Sequence, residues 1–153
     1  MARQAEVFDL YSDERGTVLL ARLYRKEDRD PDVRYGISQH ALHNDAHCGD
    51  SWYLALANGH VSALVVDGLG HGVEAEEAAL LGRATFAARA FEAPDLILDD
   101  MHQAMRGSRG GAVGIAQFDG YRDSLRFAGI GNIGASLITP EKARGLTLSL
   151  IHI

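Results

Sequence analysis

Short β-prone runs stand toward both ends of the chain, and a helical rhythm occupies its middle. Residues 7–11 and 17–24 are two such runs, separated by Ser12-Asp13-Glu14-Arg15-Gly16, and together they predict a hairpin. The mixed charges and the proline of residues 25–32 suit a solvated linker and place a boundary there. A further strand is expected at residues 34–38, then a polar loop over 39–49. The strongest local signal follows. Residues 51–57 and 60–66 are both β-prone and flank Asn58-Gly59, a dipeptide that accepts the two positive φ angles of a tight hairpin turn.

After Asp67, the glycine loop Gly68-Leu69-Gly70-His71-Gly72 leads into residues 73–91, rich in Ala, Glu, Leu and Arg. This stretch predicts a helix, with Glu74, Glu76 and Glu77 at the end where the helix dipole favours negative charge. Pro94 can open a second helix through Leu96, Leu98, Met101 and Met105. A second glycine loop, residues 107–111, precedes strand candidates at 112–118, 124–128 and 133–139. Helices grouped between sets of hairpin strands, without βαβ alternation, predict an α+β fold in which helices cover antiparallel sheet. Residues 148–153, Leu-Ser-Leu-Ile-His-Ile, resemble the translated read-through of a sequencing adapter and are expected to be a non-native tail; the alternative is a short apolar strand.

Composition narrows the function classes. The chain has 153 residues, enough for one domain with a core. With 15 Lys and Arg against 21 Asp and Glu, its formal charge is −6. Such an acidic chain lacks the basic footprint of a nucleic-acid binder or of an anionic-membrane binder, so neither partner is expected. A single cysteine, Cys48, allows no internal disulfide, and a cytoplasmic setting is the simplest expectation.

The hairpin turn also fixes a register. With Ala57 facing His60 across a two-residue loop, Trp52 faces Val65 and Asp50 faces Asp67. Opposed side chains in such a pair have Cβ atoms ~5 Å apart, a distance at which like charges repel unless a cation lies between them or one is protonated. Hard oxygen donors without a Cys or His partner suit Mg²⁺ or Mn²⁺ rather than zinc. Gly68 lets the backbone come close enough for its carbonyl to join the ligands. The same aspartates would equally serve as polar strand ends. A third possibility is a phosphate cradle formed by the backbone N–H groups of the loop over residues 68–72, although the loop does not match a nucleotide P-loop.

Val65-Val66-Asp67-Gly68-Leu69-Gly70-His71-Gly72, preceded by Gly49-Asp50-Ser51-Trp52, resembles the SpoIIE-like branch of the PPM-type, metal-dependent serine/threonine protein phosphatases. Gly110-Gly111-Ala112-Val113 and Phe127-Ala128-Gly129-Ile130-Gly131-Asn132 fit that family's later strand pair. The resemblance covers about residues 35–138. It implies two packed antiparallel β-sheets flanked by helices, an αββα sandwich. It also implies two Mn²⁺ or Mg²⁺ ions and hydrolysis of phosphoserine or phosphothreonine by a metal-activated water. Asp67 would bridge the ions, the Gly68 carbonyl would bind one, and Asp50 would hold a water on the metal. By the same resemblance the substrate is a phosphorylated regulatory protein, a STAS-type anti-sigma-factor antagonist in a bacterial stress or sporulation circuit. The family's later Ser-Asp-Gly motif and final Asp have no match after Ile138, so residues 34–147 are expected to be a C-terminally truncated domain, inactive as it stands. A non-catalytic, partner-binding module of the same fold is the alternative. Residues 1–25 resemble the last hairpin of a histidine-kinase-type ATPase domain, as in anti-sigma-factor kinases; they could instead be the phosphatase domain's own first hairpin, and residues 26–33 are the linker.

Two further residues are candidates for substrate binding. Arg109 could pair with a substrate phosphate, and His71 could pass a proton to the leaving oxygen; a surface arginine and a solvated loop histidine are the plainer readings. His40, His43 and His47 are expected to be solvated, Cys48 to be a small filler, and Trp52 to lie in the core on the face it shares with Leu54 and Leu56.

Overall fold

The computed structural model describes residues 7–13, 16–22, 33–41, 45–146 and 149–152. The chain divides into two compact units, Met1–Asp30 and Pro31–Ile153. The first holds an antiparallel hairpin of β1 (Val7–Asp13) and β2 (Gly16–Arg22).

The second unit is built on a five-stranded antiparallel sheet. Its strands are β3 (Asp50–Ala57), β4 (His60–Gly68), β5 (Gly111–Asp119), β6 (Ser124–Ile130) and β9 (Ser149–His152), adjacent in that order. Asn58 and Gly59 have φ of 48° and 76°, the two positive values the β3–β4 turn demands. No bulge intervenes, and the register runs unbroken from Ala57–His60 to Asp50–Asp67. Within the tail segment, Ser149–His152 pairs with β6 as β9. A two-stranded ribbon of β7 (Ala135–Ile138) and β8 (Ala143–Leu146) completes the strands.

Two helices cover one face of the sheet. α1 (Val73–Arg89) buries Ala75, Ala78, Ala79, Gly82 and Phe86, a stripe at helical spacing made mostly of small side chains. Small residues bring the helix axis close to the strands. α2 (Pro94–Ala104) buries Pro94, Ile97 and Met101. It meets α1 at Gly82, where an added Cβ would lie 2.9 Å from the Met101 Cε. With Leu64, Val66, Val113 and Ile115 these side chains make the main core. Gln117 ties the end of α1 to β5, its amide donating to the carbonyls of Ala90 at 3.0 Å and Glu92 at 2.7 Å. Arg89 bridges the helices through ion pairs with Glu92 and Asp100.

A second, smaller core lies on the opposite face. Phe127 and Leu146 pack there with Ala116, Leu125, Ala135 and Leu137. The β7–β8 ribbon therefore packs against the large sheet, giving an α+β arrangement of two antiparallel sheets with helices on one outer side among the described residues.

Two expectations are corrected. Residues 34–38 form no strand; the segment runs instead beside the mouth of the β3–β4 hairpin, where Tyr35 leans on Trp52 with ring centroids 6.5 Å apart. Trp52 is half-buried on the face away from the helices, and Tyr53 meets the main core edge-to-face with Phe86, ring centroids 6.0 Å apart. Alternation separates the two faces, but the small-residue stripe of α1 decides which one is covered. β8 has no counterpart in the sequence reading, because Ala143-Arg144-Gly145-Leu146 carries little β signal.

Candidate functional site

Asp50 opens β3 and Asp67 nearly closes β4, and the two stand directly opposite each other at the mouth of the hairpin. Both are exposed. Partial burial, and after it the negative charge of Asp67, push the Asp50 carboxyl above its ordinary range. A cation between the two carboxylates would remove that repulsion.

The glycines around them are fixed by close backbone approach. A Cβ on Gly68 would lie 2.3 Å from the Ala75 carbonyl oxygen and 2.9 Å from that of Gly49. A Cβ on Gly49 would lie 3.0 Å from the Ala75 Cβ, a softer approach. The Gly68 N–H donates to the Gly49 carbonyl at 2.8 Å, and the Leu69 N–H donates to the Gly110 carbonyl at 3.0 Å. The two glycine loops are thereby stitched together, and β5 continues the join by pairing Gly111 with Gly68. With two of its N–H groups committed, and Glu74 and Glu76 in the first turn of α1, the loop over residues 68–72 is poorly suited to cradle phosphate.

The residues present fit a hydrated hard ion. Asp50, Asp67 and the Gly68 carbonyl supply oxygen donors, and Mg²⁺ is commonly held by one or two carboxylates while keeping several waters. Among the described residues, no group of three or more His, Cys, Asp or Glu side chains converges as a ready-made cage.

Arg109 and His71 lie in the paired loops. The Arg109 Nε is 2.5 Å from the Glu74 carboxylate, and an added Cβ on Gly70 would lie 2.6 Å from its Nη1, so the guanidinium rests on the loop at the start of α1. His71 is exposed in the same loop. His40 is exposed as expected, and His43 lies outside the described residues. His47 is not simply solvated: its Nδ1 is 2.6 Å from Glu76 Oε2, and the Cys48 N–H donates to Glu76 Oε1 at 3.4 Å. Glu76 thus pins the approach to Asp50 onto α1. The hydrogen bond raises the His47 pKa and lowers that of Glu76. Gln39, which carries no signal in sequence, donates from Nε2 to the Asp50 carbonyl at 2.8 Å.

A cleft of about 460 Å³ opens beside the two aspartates on the sheet face away from the helices. Trp52 and Val65 form its floor, the segment around Ile37 and Ser38 one side, and Asn132 and Ile133 the other. Ile133 reaches the sheet because Gly114 lies beneath it: a Cβ there would be 3.0 Å from the Ile133 Cγ2.

No protein-family profile matches the chain, and no curated protein matches it. Solved structures do. One, from work on the bacterial stressosome as a modular system adapted to control secondary messenger signalling, superposes with a TM-score of 0.70 at 26% identity, over 75% of this chain and 61% of that one. RsbX in complex with magnesium gives a TM-score of 0.66 at 20% identity, over 94% of this chain and 64% of its own. The PP2C phosphatase domain of the cell-fate determinant SpoIIE from Bacillus subtilis gives 0.61 at 13% identity, over 94% and 44%. The chain thus spans less than two thirds of each of these structures. The fold of this chain is that of the PP2C-type phosphatase domains.

Proposed function

We propose that the chain carries half of the catalytic centre of a metal-dependent protein phosphatase acting on phosphoserine or phosphothreonine in a bacterial regulatory protein. The observation that carries this reading is the direct opposition of Asp50 and Asp67, followed by Gly68, whose place against the Ala75 and Gly49 carbonyls leaves no room for a side chain. Mg²⁺ or Mn²⁺ would be held by these three groups, the complete domain taking two ions, and would supply an activated water and neutralise phosphoryl charge. Asp50 and Asp67 would position the ion, with the Gly68 N–H bonded to the Gly49 carbonyl behind them. Arg109 would meet the substrate phosphate once it exchanges Glu74 for it, and His71 would move a proton at the loop. The SpoIIE and stressosome likenesses support a signalling partner, and a STAS-type antagonist is the substrate we favour.

A second reading, a partner-binding module of the same fold, is favoured by one observation: among the described residues no third acidic side chain joins the aspartate pair. Calorimetric titration with Mn²⁺, alongside hydrolysis of p-nitrophenyl phosphate, separates the two. Binding that disappears in Asp67→Asn supports the metal centre, and hydrolysis on the same chain supports catalysis. A folded wild-type chain that takes up no Mn²⁺ sinks the metal reading.

A further inference from the structure

We infer that the cleft beside Asp50 and Asp67 seats the polypeptide flanking the phosphorylated residue, and that it selects an apolar side chain two positions from that residue. This rests on the phosphatase reading and adds a substrate preference to it.

The cleft is continuous with the aspartate pair, which forms one end of it. Beyond those two acids its lining among the described residues holds no charged side chain. Beside the polar Ser38, Gln39 and Asn132 it offers apolar surface: Ile37 and Val65 stay 49% and 47% exposed, and Tyr35, which leans on Trp52, is 55% exposed. Apolar side chains left uncovered together mark a binding surface more often than an accident. On this sheet face the β7–β8 ribbon covers Phe127 and leaves the Trp52–Val65 pair open.

Spacing sets which substrate residue meets them. The Trp52–Val65 pair lies two residues along the ladder from Asp50–Asp67, about 6.6 Å away. In an extended peptide, residues two apart lie about 6.6 Å from each other and point to the same side. A phosphoryl group at the aspartates therefore brings the side chain two positions away over Trp52 and Val65.

Trp52 is the chain's single tryptophan, so its emission reports this cleft alone. The probes are two pentapeptides with phosphoserine at the centre, one with leucine and one with glycine two positions to either side of it, titrated in the presence of Mg²⁺. The leucine peptide should shift Trp52 emission and bind about tenfold tighter, as expected for an apolar side chain entering an apolar site. Val65→Ser combined with Ile133→Ser should bring the peptides within about threefold of each other while Mg²⁺ uptake persists. Leu80→Ser, an exposed position on α1, should leave the preference intact. Equal binding of the two peptides by a chain that takes up Mg²⁺ overturns this inference and leaves the phosphatase reading standing. Absence of Mg²⁺ uptake by the folded chain overturns both.

Discussion

The two faces of the large sheet are made of the same strands and do opposite things. Toward the helices, Leu64, Val66 and Ile115 are fully enclosed against Phe86, Ile97 and Met101. On the other face the ribbon closes over Phe127, and the sheet then opens to the exposed Val65, the half-buried Trp52 and the two aspartates. One face is filled and holds the strands in register; the other is covered at Phe127 and left open at the aspartate pair. The comparison teaches that β4 carries both tasks at once, since Leu64 and Val66 point one way while Val65 and Asp67 point the other.

The largest expected effect comes from breaking the closed face. Phe86→Ala should lower stability by about 3–5 kcal/mol through lost contacts and a residual cavity, measured by denaturant unfolding. A smaller but two-sided effect is expected where the faces meet. Gly68→Ala places a methyl on the Ala75 and Gly49 carbonyls and should cost on the order of 1–3 kcal/mol, together with Mn²⁺ uptake, in parallel unfolding and calorimetry. On the open face, Asp67→Asn should leave stability unchanged or raise it by at most ~1 kcal/mol while abolishing metal binding. The same change removes a negative neighbour and should lower the Asp50 pKa, readable from its carboxyl carbon by NMR. A loss of stability as large as that of Phe86→Ala would show that the open face also holds the fold.

The finest test concerns the link from α1 to the loop before Asp50. His47 is raised by its bond to Glu76, so its contribution is full below the ordinary histidine pKa and is lost as pH rises through the raised value. Glu76 is lowered, so its contribution is full above the ordinary carboxylate pKa and is lost as pH falls through the lowered value. The link is strongest between those limits. Glu76→Gln should lower the His47 pKa, seen in its ring proton shifts; no change would show that the pair does not form in solution.

What was legible in the sequence follows the same division. The β3–β4 register, and with it the opposition of Asp50 and Asp67, could be read from Asn58-Gly59, because a two-residue turn leaves the strands no freedom to slip. The helices were legible from their composition and from Pro94. The face that Trp52 occupies was not, since alternation says which residues share a side and not which side a helix covers. The course of residues 34–38, the Gln39 bond to Asp50 and the His47–Glu76 pair depend on contacts between distant parts of the chain, which no local pattern encodes. The cleft walls are hidden for the same reason: Ile133 meets the sheet through a gap left by Gly114, and neither residue signals the other.

The order in which the chain assembles follows from the tight turn. The Asn58–Gly59 hairpin closes locally, on the microsecond scale of isolated hairpins. Pairing of Gly68 with Gly111 must wait for both intervening helices to be laid down, because loop closure precedes any reward from such distant contacts. The two aspartates therefore confront each other early, before the core that later holds them is complete. Their repulsion opposes the nascent hairpin at that stage, and a divalent cation in the surrounding solution would act as a folding aid there before it served any chemistry.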